Sequence, residues 1–307
     1  MNPALQAALH EWSPPIFVNV ALAASLYFYI VGWLRLRKSA NNVDATDDFL
    51  HAAPPPLTVR ALAAYCCGVF ALWLAIGSPL EALDDASLLA HMTQHLLLML
   101  VVPPLILLGA PTLPFLHGLP RGIVRSNGPL GAFLRSRAAQ FLGDFLSRPL
   151  VCWIFAIVAM IAWHVPTAFE LALRSNGWHE VEHATFLATS LMFWWPVIQP
   201  WPSQARAPRW VMPLYLLLAM IAGSTVSAYL TFSDRVLYPS YAEAPRIFIA
   251  LTPLDDQILA GALMWVGMTI ILLIPAVAIT IRLLSPTRRT SARRTAPPVA
   301  TPKPQFN

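Results

Sequence analysis

Seven runs of predominantly apolar residues, near 16–34, 59–78, 88–108, 146–165, 181–199, 210–230 and 258–284, leave this chain few ways to fold. A helix rises about 1.5 Å per residue, so about 20 apolar residues cross the roughly 30 Å hydrocarbon core of a bilayer. In that medium only a helix or a closed barrel satisfies its own backbone. Hydrophobic residues make up 57% of the 307 and charged residues 11%, with a mean hydropathy of +0.59, far from the balance of a soluble domain. The expectation is an all-α integral membrane protein, with one domain of seven transmembrane helices over residues 1–285 and a disordered basic tail over 286–307. The first run has no Lys or Arg ahead of it and no small-residue cleavage site behind it, so it reads as a retained helix. The fourth is the shortest; Pro166 is expected to bend or end it.

Basic residues set the orientation. Arg35, Arg37, Lys38 and Arg60 fall on one set of loops, joined by Arg121, Arg125, Arg135, Arg137 and Arg148, by Arg206 and Arg209, and by the tail from Arg282 to Lys303. These are 17 of the 20 Lys and Arg; only Arg174, Arg235 and Arg246 fall on the other side. The positive-inside rule then puts the N-terminus outside and the C-terminus in the cytoplasm, in a multi-pass protein of a bacterial cytoplasmic (inner) membrane. The net charge of +5 needs no nucleic-acid partner. The lipid bilayer suffices, its anionic headgroups attracting the tail "TRRTSARRTAPPVATPKPQ". Cys66 and Cys67, adjacent in the second run, and Cys152 in the fourth suggest packing and not a disulfide frame. Trp163, Trp178, Trp194, Trp195, Trp201 and Trp210 lie near run ends and read as interfacial anchors, with "FWWP" at 193–196 part of that belt. Lys38 and Lys303 both lie outside the runs, which excludes a retinal Schiff base.

Polar groups at membrane depth are functional candidates by default. Of eight histidines, five are expected at one level on the outer side: His91 and His95 where the third run begins, His164 where the fourth ends, His179 and His183 where the fifth begins. "HMTQH" and "HEVEH" each place two imidazoles four residues apart, one above the other on a helix face, where a pair can grip one metal ion. Acidic residues crowd the same side, among them Asp84, Glu180, Glu182, Asp255 and Asp256, to attract cations and orient imidazoles. Imidazole suits copper, zinc, iron and nickel, and the thioethers of Met92 and Met264 would tilt a site toward copper. Because ligating imidazoles must be neutral, binding is expected to weaken in acid.

The stretches "HMTQHLLLMLVVPPLILLGAP" at 91–111, "WHVP" at 163–166, "HEVEHATF" at 179–186, "FWWP" at 193–196 and "DDQILAGALMW" at 255–265 resemble the CtaG family of cytochrome c oxidase assembly factors, multi-span bacterial membrane proteins. The resemblance covers roughly residues 15–285 and falls on His91, His95, His164, His183, Asp256, Gln257, Met264 and Trp265. It implies a non-enzymatic role in maturing a haem-copper oxidase by binding or delivering copper, with oxidase subunits and periplasmic copper chaperones as partners. The expected metal ligands are His91, His95, His164, His179 and His183, supported by Met92, Met264, Glu182, Asp255, Asp256 and Gln257.

Three other readings compete. His179, Glu180 and His183 spell HExxH, in which two histidines hold zinc and the glutamate acts as general base of a metallopeptidase; a third ligand would then come from His91, His95 or His164. Histidines on facing helices could instead hold a haem, although the runs contain no second pair nearer the cytoplasm. A metal-free scaffold would account for the tryptophans and leave the five histidines unexplained.

Overall fold

A computed structural model describes residues 5–6, 9–10, 12–41, 58–120, 132–133, 136–200, 208–246 and 251–285. The predicted tail at 286–307 and most of the loop that follows the first span lie outside these. The described residues are helical, without strands. Five helices are long and apolar enough to cross a membrane: α1 (Ile16–Asn41), α2 (Val59–Ile76), α4 (Leu88–Leu108), α10 (Met212–Thr231, led in by a short 3₁₀ turn at Arg209–Val211) and α12 (Pro253–Leu284). A short helix, α3 (Glu81–Asp84), precedes α4, and another, α5 (Thr112–Gly118), follows it.

A sixth candidate is a broken pair. The amphipathic α6 (Arg137–Leu146) meets α7 (Pro149–His164) at 71°. The fourth span was expected from about residue 146. The helix there, α7, begins at Pro149, whose fixed φ and missing N–H suit the first position of a helix, while Phe141, Leu142 and Phe145 of α6 stay exposed. That exposure is the pattern of a helix lying along a membrane surface. Pro166 acts as anticipated: α7 stops at His164 and Pro166 opens α8 (Pro166–Leu173). Next comes α9 (Asn176–Ile198), whose 23 residues reach about 34 Å, long enough to span. Its hydropathy is lowered by Glu182, Thr189 and Ser190, which are buried and face protein, and by Asn176 and Glu180, which are exposed near its start. The small α11 (Pro239–Glu243) lies between α10 and α12.

Contacts run α10 against α12, α12 against the start of α4, α7 against α9, and α2 against the far end of α4, so α4 is central. Its middle, Leu97–Val101, is wound as a π-helix. Such a bulge often adjoins a functional site, and here it begins two residues after His95. The cause is partly covalent. Pro103 and Pro104 both lack an N–H, so the Met99 carbonyl loses its four-residue and its five-residue donor. Trp194 on α9 supplies the replacement, its Nε1–H donating to Met99 O at 3.0 Å. Trp194 is 3% exposed, so the belt reading of "FWWP" fails for this residue: its indole is a core hydrogen-bond donor.

The α1–α5 crossing depends on glycine. A Cβ on Gly32 would stand 1.7 Å from Pro114 O, and one on Gly118 would stand 1.8 Å from Phe28 O. Small residues let helix backbones touch in lipid, where no hydrophobic force draws helices together.

Candidate metal centre

The start of α4, the end of α7 and the start of α9 converge, and each brings the histidines expected of it. Ser87 caps α4 by accepting from Ala90 N, and so fixes the helix phase from which His91 and His95 project. Both rings are completely buried, with His91 Nε2 2.8 Å from His95 Nε2. On α9, His179 and His183 stack with ring centroids 4.1 Å apart, and His183 lies 5.5 Å from His95. One ring nitrogen each from His91, His95 and His183 all lie within 4.8 Å of one another, as do ligand atoms of His91, His179 and Glu182. His164, at the end of α7, stands 6.3 Å from His95 between ring centroids. Phe169 and Phe186 wall the site, their centroids 4.9 Å from His91 and 4.6 Å from His95.

Hydrogen bonds fix which nitrogens face inward. The Tyr241 hydroxyl donates to Asp84 O at 2.9 Å and lies 3.0 Å from His91 Nδ1. A hydroxyl has one proton, and a carbonyl can only accept. His91 Nδ1–H is therefore the donor to Tyr241, which leaves a lone pair on Nε2. His164 Nδ1 likewise donates to Met160 O at 2.7 Å, which frees its Nε2. Tyr241 lies 150 residues from His91 on α11 and had no signal in the sequence; burial, then Asp84 nearby, holds its phenol well above the usual range.

What remains is an unusual concentration of unpartnered polar atoms. His164 Nε2, His179 Nε2, His183 Nε2, Asp84 Oδ2 and both carboxylate oxygens of Glu182 are buried without a hydrogen bond. Glu182 is 0% exposed, and its oxygens lie 3.6 Å from His91 Nε2 and from His95 Nε2. Most buried polar groups are paired, and an isolated buried carboxylate is costly unless a cation meets it. Asp84 Oδ2 lies 3.5 Å from His179 Nε2. Burial first, and the adjacent Asp85 second, raise the Asp84 carboxyl well above the usual carboxylate range. Three neutral imidazoles and a carboxylate match the donor set of a divalent transition metal.

Other expected residues are engaged elsewhere. Asp256 accepts from Ser87 Oγ at 2.9 Å and from Leu88 N at 2.7 Å, which pins α12 to the first turn of α4. Gln257 accepts from Leu237 N and donates to Leu230 O and Arg235 O, which holds the turn after α10. Asp255 is bonded to Thr252 in a capping box at the start of α12. These three build the frame around the histidines. Met92 and Met264 pack in the main apolar core. Asp256→Asn is expected to lower stability by about 1–2 kcal/mol, because one of two buried donors loses its charged acceptor; the midpoint of thermal unfolding in detergent measures it.

The HExxH reading loses its base. Glu180 is exposed and sits near Glu81 at the rim, where burial and then Glu180 raise the Glu81 carboxyl. The carboxylate among the imidazoles is Glu182.

A sequence profile described as cytochrome c oxidase caa3 assembly factor (Caa3_CtaG) matches residues 27–285. The chain belongs to this family. The Caa3_CtaG match takes in all five clustered histidines, Glu182 and Asp84. Uncharacterized proteins of Mycobacterium bovis and Mycobacterium tuberculosis are each 24% identical over 271 residues, covering 86% of this chain and 38% of theirs. One of Mycobacterium leprae is 24% identical over 254 residues, covering 82% of this chain and 36% of its own. The chain thus spans under two fifths of the length of these curated relatives. No solved structure matches.

Proposed function

We propose that this Caa3_CtaG chain serves the assembly of a caa3-type cytochrome c oxidase by holding copper at the outer face of a bacterial cytoplasmic membrane. Glu182 carries the reading: a carboxylate with no exposure and no hydrogen bond stands between two imidazoles. His91, His95 and His183 supply the nitrogens and Glu182 the balancing charge. The proposed topology has seven spans, with α7 and α9 as the fourth and fifth and the N-terminus outside. The distribution of Lys and Arg supports it. In this reading the copper is cargo, received from periplasmic copper chaperones and passed to an oxidase subunit, and the chain performs no catalysis of its own.

Nitrogen and oxygen donors favour Cu(II) over Cu(I), and they also suit Zn(II). Loading the detergent-purified full chain with equal copper and zinc, followed by metal analysis and electron paramagnetic resonance, separates the two. The expected result is one copper per chain with nitrogen couplings in the Cu(II) spectrum. Zinc retained in place of copper would overturn the copper assignment, and retention of neither would overturn a metal site.

A further inference from the structure

His91 belongs to both sets of converging ligands, and it can serve only one at a time. Its Nδ1 is held by Tyr241, so Nε2 is the single nitrogen it offers a metal. The deeper set adds His95 and His183; the shallower adds His179 and Glu182. Beside the shallower set stands Asp84, with Oδ2 unpartnered and 3.5 Å from the equally unpartnered His179 Nε2. The Asp84 side chain is 3% exposed and the His179 ring 20%, against 1% for His95. His183 is half-buried as well, so the order of the sets follows the helix: His179 stands one turn nearer the start of α9 than His183, beside Asp84.

We propose that Asp84, His179 and Glu182 form a second metal station, at which an incoming Cu(II) ion is captured before it passes to His95 and His183. The proposal rests on the copper reading above. Because both sets need His91 Nε2, they are alternative addresses for one ion and not two independent sites. His91 is the pivot, and Glu182, within 3.6 Å of both His91 and His95, accompanies the ion. The passage is ligand exchange: bonds to His179 and Asp84 break as bonds to His95 and His183 form, with no electron transferred. The acidic pair also suits capture, since Asp84 and Glu182 together balance the two charges of the ion. The Tyr241 hydroxyl, bonded to the Asp84 carbonyl and to His91, keeps the two stations in register.

Stopped-flow loading of the full chain in detergent with Cu(II), then extraction by excess EDTA, tests the sequence of stations. Rates are normalised to the copper finally bound. The double variant Asp84→Asn, His179→Ala is expected to load about tenfold more slowly than wild type, while His95→Ala loads at the wild-type rate and releases about tenfold faster. Asp84→Asn alone, a near-isosteric change, is expected to slow loading in the same direction. Equal effects of the two kinds of variant on both rates would overturn the relay and leave a single site. Two copper ions bound per wild-type chain would also overturn it. A wild-type chain that binds no copper overturns the metal reading itself, and the relay with it.

Discussion

A chain carrying His91→Ala and His95→Ala together is expected to lose its copper. A residue that merely supports a ligand is worth roughly 10–100-fold in metal affinity, and a direct ligand at least as much. Two such factors are removed at once, so retained copper after gel filtration falls to background while wild type keeps one equivalent. Both rings are completely buried, so the cavity left behind invites collapse, and the loss must be separated from misfolding. The frame allows this. Asp256, Ser87 and Leu88 hold the start of α4 through bonds that neither substitution touches. Helix content of the copper-free variant should therefore stay close to that of the copper-free wild type and its unfolding should stay cooperative, with the thermal midpoint lowered by the cavity. Equal copper in variant and wild type would exclude these histidines as ligands.

The spans were legible because lipid imposes a single requirement, an apolar run of sufficient length, and α1, α2, α4, α10 and α12 meet it in composition alone. The expectation went astray where polarity is satisfied from another helix. Trp194 looked like an interfacial anchor because indoles favour span ends, yet its position answers Pro103 and Pro104, ninety residues earlier on α4. Asp256 and Gln257 looked like ligand-supporting groups because polar residues at membrane depth are rare. Their donors lie on Ser87, Leu88 and Leu237, and the acceptors of Gln257 on Leu230 and Arg235, which no local pattern connects to them. The histidine pairs were visible from their four-residue spacing. The choice of glutamate was not. At about 100° per residue, Glu180 and Glu182 stand on opposite sides of the His179–His183 midline by about 80° each. Helix phase alone cannot choose between them, and only the placement of α4 beside α9 turns Glu182 inward and leaves Glu180 exposed.

That inward glutamate carries the sharpest consequence for stability. In the metal-free chain its two unbonded oxygens are a cost in either protonation state, since nothing in the site donates to them or accepts from them. Glu182→Leu replaces them with apolar atoms of similar bulk, and exchanging buried ionic groups for well-packed apolar ones can stabilise by about 1–4 kcal/mol. The variant should therefore melt above wild type when both are stripped of metal. Copper reverses the order. Free ligand at about 100 times its Kd stabilises the folded state by about 2.7 kcal/mol, and this gain goes to wild type while the variant, without its charge-balancing carboxylate, receives little. The two melting midpoints should cross as copper is added, with Glu182→Leu higher at zero copper and lower at saturation. A variant less stable than wild type throughout would mean that Glu182 supports the bundle itself, and an equal copper-induced rise in both would remove it from the site. A crossing assigns the buried carboxylate to the metal, because a group retained at a loss in the empty protein is repaid only when a cation stands between His91 and His95.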